Sequence, residues 1–353
     1  MEHNGKEERS MKALMKKKTG NLPFTAICCI AVLCTVSCRK ELCYNHWEHA
    51  PSAKALINAE YEYEWERDYG SGLEDSWRWE TEYDSLRPGM PEGLKVLTYA
   101  HDGRQDERNV DACGELVPLF EDHQSILLYN NDTEYIVFEN SGSFPATMAT
   151  TRTRTRSTYS ETHSDEITVN APDMLYAHYI ESWHGERKIE ADTLAITMQP
   201  LTYTYYIIWN FTGGLQYAAL GRGALSGMAQ AVYLTTGTTS EEKATILYDC
   251  EIKDNYIEAR VMSFGIPGFP DENYQPTKSG DDPYLLNLEV KLKNGKTLSF
   301  DHDVSGQVHS QPRGGVIEIN GLEIPDDIGQ EGSGSFDVEV GGWEDEEDII
   351  LPL

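Results

Sequence analysis

The sequence predicts an all-β protein whose antiparallel sheets pack as sandwiches. Three observations point there. Apolar residues recur at period two in run after run, an Asn-Gly pair separates two such runs, and no stretch sustains a helical period.

The first strand is predicted over residues 56–65. There Ile57, Ala59, Tyr61, Tyr63 and Trp65 alternate with Asn58, Glu60, Glu62 and Glu64, as on a half-buried strand. Residues 94–100, 125–130 and 134–139 read as shorter strands. The last two are separated by Asn130-Asn131-Asp132, which suits a tight turn. These elements make a first β-sandwich domain, residues 38–145.

Composition then shifts to Thr, Ser and Arg, including Thr151-Arg152-Thr153-Arg154-Thr155-Arg156. With no apolar face to bury, residues 146–187 read as a linker. Arg152, Arg154 and Arg156 would be its protease-sensitive points; the plainer alternative is a solvated loop or strand.

A second β-sandwich domain is predicted over residues 188–322. Leu201, Tyr203, Tyr205, Ile207 and Trp209 line one face, with Thr202 and Thr204 on the other. Ile257, Ala259 and Val261 alternate similarly, as do Leu286, Leu288, Val290 and Leu292. Asn294-Gly295 follows and predicts a hairpin to residues 297–300, both turn residues taking positive φ. Residues 316–319 read as a closing strand. Residues 215–231, rich in Ala and Gly, suit a short helix or a loop. Residues 323–353 form an acidic tail without Lys or Arg, in which Phe336, Val338 and Val340 alternate with Asp337 and Glu339.

The N-terminus carries a different signal. Lys12, Lys16, Lys17 and Lys18 precede an uncharged, mostly apolar stretch and a small residue, Ser37, before Cys38. That is the order of a secretory leader. The stretch is roughly fifteen residues, short of the ~20 that a bilayer-crossing helix needs. Leu33-Cys34-Thr35-Val36-Ser37-Cys38 resembles a lipobox, with Thr35 where Leu is usual. Residues 1–37 are therefore expected to be a lipoprotein signal peptide, with Met11 or Met15 as alternative starts. Cys38 would carry the lipid, whose acyl chains hold by burial at ~0.8 kcal/mol per methylene. This covalent lipid is the only cofactor expected, and outer-membrane lipid is the expected partner.

The chain has 59 acidic and 29 basic residues and a formal charge of −30. Phosphate backbones need Lys and Arg, so nucleic acid is excluded as a partner. Beyond the anchor stand Cys43, Cys113 and Cys250, an odd number that leaves one thiol over after any bridge; buried thiols are the plainer reading.

No catalytic motif is found, and the chain does not read as an enzyme. Residues 221–227 place their third glycine one position too far for a dinucleotide fingerprint. They also lack the G-x-S-x-G elbow and read better as a turn. His178 and His184 flank Glu181 without H-E-x-x-H spacing. Asp281-Asp282 and the acidic run from Glu344 lack the spacing of a calcium loop. No metal site is expected. Trp77 and Trp79, in a Gly- and charge-rich stretch, could stack on sugar rings if exposed together on a flat platform.

Several segments together carry a resemblance. They are Cys38-Arg39-Lys40-Glu41-Leu42-Cys43-Tyr44-Asn45-His46, Leu128-Tyr129-Asn130-Asn131-Asp132-Thr133-Glu134, Ala171-Pro172-Asp173-Met174, Leu225-Ser226-Gly227-Met228 and Gly342-Trp343-Glu344-Asp345. Their order resembles a family of Bacteroides-type lipoproteins similar to the fimbrillin-associated anchor proteins of minor fimbriae. The resemblance implies two tandem transthyretin-like, fimbrillin-type sandwiches lipid-anchored at the outer-membrane surface. It also implies fimbrial subunits as partners, joined when a donated strand completes an open sheet edge. An anchor or accessory subunit of such a fibre is the expected function. The alternative is a surface lipoprotein that binds glycans or another environmental ligand. The fibre reading predicts an unpaired sheet edge or a free strand, with residues 336–340 as one place for it.

Overall fold

A computed structural model describes residues 52–62, 73–154, 165–272 and 283–330. The expectations at Cys38, Cys43, Tyr63, Trp65, Arg156, Asp281, Asp282 and the tail from residue 331 fall outside the described residues.

The first strands are β1 (Ala53–Tyr61), β2 (Gly93–Ala100), β3 (Gln105–Asp111), β4 (Leu116–Leu119) and β5 (Asp122–Asn130). Next come β6 (Ile136–Glu139), β7 (Met148–Thr151), β8 (Ile167–Asn170), β9 (Tyr176–Gly185) and β10 (Asp192–Pro200). The longer strands follow: β11 (Tyr203–Gly213), β12 (Ala218–Ala229), β13 (Ala231–Tyr233), β14 (Lys243–Ile252) and β15 (Tyr256–Ser263). The chain closes with β16 (Leu285–Leu292), β17 (Thr297–Asp303), helix α1 (Ser305–Ser310), β18 (Gly315–Glu323) and helix α2 (Asp326–Gln330).

A seven-stranded sheet has the order β3-β2-β5-β9-β10-β1-β4. An eight-stranded sheet runs β17-β16-β12-β14-β15-β11-β18, with β8 beside β14. Strands β13, β7 and β6 form a small third sheet. Most pairs are antiparallel, while β1–β10, β11–β18 and β8–β14 are parallel. The all-β class read from the sequence is the class observed.

Each large sheet curls around its own core. In the first, Ile57, Leu94, Val110, Val117, Ile126, Tyr176 and Met198, from seven different strands, pack into one cluster. One face of seven strands can share a core only if the sheet bends round it. In the second, Phe300 of β17 meets Phe211 of β11 with ring centroids 5.8 Å apart. One edge of that sheet thus reaches the strand beside its opposite edge. Both sheets lie in one compact unit.

Period two is visible where a strand is covered on one side only. In β1, Ala53, Ala55, Ile57, Ala59 and Tyr61 are buried, while Leu56, Asn58 and Glu60 are exposed. Where both faces are covered the alternation vanishes. Tyr205, Ile207 and Trp209 of β11 enter the sheet core, and Tyr206 and Ile208 pack outward against a second cluster. On the back of the first sheet, Leu97, Leu127 and Tyr129 pack against Ile136, Ala149 and Val232 of the small sheet.

Several local expectations are corrected. Asn130-Asn131-Asp132 does not close a hairpin: β5 pairs with β2 and β9, whereas β6 pairs with β7 in the small sheet. The segment read as a linker contains β7, β8 and β9, and β10 joins the first sheet beside β1. In β7 the threonines are the reason the composition misled, since Thr150 and Thr151 are buried alongside Ala149. Residues 215–231 are neither helix nor loop. They hold one short 3-10 turn, Leu215–Tyr217, and then β12, flanked by β14 and β16. The glycines are explained by their cross-strand neighbours: any Cβ on Gly223 would overlap the ring of Tyr248, its register partner on β14.

The β16–β17 hairpin forms as predicted but with another turn. Only Gly295 has positive φ, at 86°. Gly295 N–H donates to the Leu292 carbonyl and Leu292 N–H to the Lys296 carbonyl. This is a three-residue loop whose last residue takes the left-handed conformation.

Candidate strand-addition site

The motif segments have structural roles. Asn130 is buried, accepts Tyr176 N–H on Oδ1 at 2.7 Å, and donates from Nδ2 to the Met174 carbonyl at 3.0 Å. Asp173 Oδ2 accepts the backbone N–H groups of Glu134, Tyr135 and Ile136 at 2.7, 2.5 and 3.3 Å. One carboxylate thus pins the chain at the point where it leaves the first sheet for the small one. Gly227, with φ at 87°, sits in a bulge of β12 and donates its N–H to Glu166.

The sheet edges differ in what they offer another chain. Ala100 N–H donates to the Arg104 carbonyl at 2.9 Å, and the β2–β3 register runs without a shift. Antiparallel pairs alternate, so Asp106 and Arg108 bond to β2 and the backbone of Gln105, Glu107 and Asn109 points outward. Among the described residues nothing pairs with that side of β3.

Strand β4 is a poorer edge. Ile57 N–H donates to the Glu115 carbonyl, which by the same alternation turns Leu116 and Pro118 outward. Proline has no N–H to offer, a common way to blunt an edge.

Strands β3 and β4 approach one another because the sheet curls. A cavity of about 230 Å³ lies between them, lined by Thr98 of β2, Gln105, Asp106 and Arg108 of β3, and Pro118, Leu119 and Phe120 at β4. Gln124 holds Phe120 there by bonding both its N–H and its carbonyl, at 3.2 and 2.6 Å. In the second sheet the connection between the facing edges is α1, and Val304 and Val308 from this connection are buried in the core. That sheet has an open edge too, at Thr297, Ser299 and Asp301 of β17, among the described residues.

Trp77 and Trp79 sit on a strap, residues 73–87, that covers the outer face of the second sheet. Both are half-buried against Tyr206, and their rings meet edge-to-face, 4.6 Å apart at 72°. The Trp77 indole N–H donates to the Thr81 carbonyl. A sugar could lie flat on this pair only after the rings had left Tyr206. The strap is tied by buried Glu258, which accepts the hydroxyls of Thr81 and Tyr206, with Lys253 Nζ at 3.2 Å. Burial first, and the Glu258 carboxylate second, push the Tyr206 hydroxyl well above its ordinary range. Arg260 adds bonds to the carbonyls of Ser85 and Arg87.

The arginines of the presumed linker are partly held. Arg152 N–H donates to the Tyr135 carbonyl, and the Arg152 carbonyl accepts Asn170 N–H. Arg154 N–H donates to the Thr168 carbonyl, and its guanidinium lies 3.8 Å from Asp249. A protease would have to free these bonds before cutting.

His178 and His184 do not converge. His178 Nδ1 bonds the Thr197 carbonyl, and the His184 ring packs on His123. No group of three His, Cys, Asp or Glu among the described residues is arranged to hold a metal. Cys113 is exposed in the turn between β3 and β4 and Cys250 is half-buried; neither forms a disulfide among the described residues. Sequence reasoning named residues 336–340 as one place for an open edge and did not single out β3, since the run of charges there carries no period-two signal.

Residues 82–249 match the family model described as a domain of unknown function, DUF5119. No curated protein matches the chain. The chain's structural neighbours are Bacteroides candidate adhesins and Porphyromonas fimbrial proteins. A candidate adhesin from Bacteroides ovatus superposes with a TM-score of 0.53 at 18% identity, covering 79% of this chain and 96% of that one. The all-β class is the one the sequence pattern predicted, and the likeness to fimbrial-protein folds is what the resemblance implied. A second Bacteroides ovatus candidate adhesin gives a TM-score of 0.41 at 9% identity, covering 76% and 89%. The fimbrial anchor protein of Porphyromonas gingivalis gives 0.38 at 13%, covering 75% and 90%.

Proposed function

We propose that the chain is a lipid-anchored cell-surface structural protein, an anchor or accessory subunit of a fimbria-like fibre assembled by strand addition. The observation that carries this reading is that, among the described residues, the outer edge of β3 is open and lies beside the cavity between β3 and β4. An extended segment of a neighbouring subunit would bond the outward amides and carbonyls of Gln105, Glu107 and Asn109. Its inward side chains would enter the cavity between β3 and β4 and rest on Leu119 and Phe120. Lipid on Cys38 would hold this end of the fibre to the outer membrane. The fold shared with a candidate adhesin supports a surface role.

The test compares intact cells carrying the wild-type chain or Cys38→Ala. Surface fibres are sheared off, purified and blotted for this protein beside the stripped membranes. Wild-type protein that travels with the fibres, and fibres that detach from Cys38→Ala cells, are the expected results. Protein that stays in the membrane with no fibre partner would overturn the reading.

A further inference from the structure

Free edges of this molecule are blunted in different ways. Charged side chains run along β3 (Asp106, Glu107, Arg108, Asp111) and β17 (Asp301, Asp303), and β4 is short and carries Pro118. Strand β18 has none of these devices. Its Gly315-Val316-Ile317-Glu318-Ile319-Asn320 run is rich in β-branched residues that suit pairing, and it forms the end of the second sheet. The side chain of its one acid in that run, Glu318, is occupied by Arg78 and Asn210.

The edge is covered by two side-chain amides. Val316 N–H donates to Gln311 Oε1 at 3.0 Å, and Gln311 Nε2 donates to the Val316 carbonyl at 2.6 Å. Glu318 N–H donates to Gln307 Oε1 at 2.8 Å, and Gln307 Nε2 donates to the Glu318 carbonyl at 3.1 Å. A glutamine amide has the same donor and acceptor as a peptide group. Val316 and Glu318 are two residues apart, so the pair copies two successive rungs of an added strand. The glutamines are aimed by a fixed support, because Val304 and Val308 at α1 are buried in the sheet core.

We propose that Gln307 and Gln311 form an edge lock that keeps a second copy of this chain from pairing with β18. The outward N–H and C=O groups of Val316 and Glu318 are the same on every copy, so two copies could pair antiparallel about a two-fold axis once the amides are gone. The lock stands whether or not the fibre reading holds, since it concerns the opposite sheet and a different edge.

The test replaces both residues in the full chain, Gln307→Met and Gln311→Met, keeping side-chain length while removing all four bonds. Mass is measured by light scattering across a concentration series, with amide exchange followed at Val316 and Glu318. The expected result is a folded variant that dimerises with a Kd below ~100 µM, where the wild type stays monomeric. The Val316 and Glu318 amides should exchange fast in the dilute variant and become protected as it dimerises. A folded, monomeric variant whose two amides exchange fast at every concentration would overturn the proposal. If the double variant does not fold, the single Gln307→Met and Gln311→Met variants, each freeing one rung, are judged by the same two readouts.

Discussion

Placing proline at two adjacent positions of β3 tests the edge directly. In Glu107→Pro the lost N–H points away from β2, so no ladder bond is broken. The variant loses the Glu107–Lys95 ion pair, at 2.6 Å on a half-exposed surface, which contributes ~0–1 kcal/mol. In Arg108→Pro the lost N–H faces β2 opposite Val96. That change removes a ladder bond of about 0.5–1.5 kcal/mol and leaves a carbonyl unpaired on nearly buried Val96, for a further ~1–3 kcal/mol. Arg108→Pro should therefore destabilise by about 1.5–4.5 kcal/mol and Glu107→Pro by about 1 kcal/mol or less. Urea unfolding of the two variants measures the difference as a shift in midpoint at constant slope. Functionally the order reverses in meaning: Glu107→Pro, still folded, should no longer travel with sheared fibres, because one rung and its neighbours are blocked. Equal destabilisation by the two prolines would refute the assignment of which backbone groups face outward.

Two further outcomes are expected. Asp173→Ala strands the N–H groups of Glu134, Tyr135 and Ile136. With each bond to a charged acceptor contributing about 1.5–3 kcal/mol and part of the site open to water, the loss should be ~2–4 kcal/mol in the same unfolding assay; a loss under ~0.5 kcal/mol would sink the pinning role. Tyr206 has its pKa raised by burial and Glu258, so the folded state keeps a proton that the unfolded state releases. Its contribution is fully present below the unfolded pKa of ~10 and falls above it, by up to about 1.4 kcal/mol per pH unit. Tyr206→Phe should flatten that alkaline slope, and an unchanged slope would remove Tyr206 as its source.

Much of the fold was legible in the sequence, and the failures have physical causes. The β1 alternation could be read because Leu56, Asn58 and Glu60 face water while Ile57, Ala59 and Tyr61 face the core. In β12 burial on both faces erases the period, and glycines opposite bulky rings imitate a turn. In β7 buried threonines imitate a linker.

The open edge, the locked edge and the strap were not legible at all, since each depends on residues far apart in the chain. Phe120 and Arg108 line one cavity only because a seven-stranded sheet curls. The aromatics at Trp77 and Trp79 pack on Tyr206 only because the strap crosses to the second sheet. By itself the sequence determined the β class and the Asn-Gly hairpin, and it set the expectations of lipid at Cys38 and of no nucleic-acid partner. Those follow from local periodicity, turn chemistry and charge, which neighbouring residues set. Tertiary structure alone decided which strands end each sheet and which of their hydrogen-bonding groups remain open, because edges are made by pairing across the whole chain.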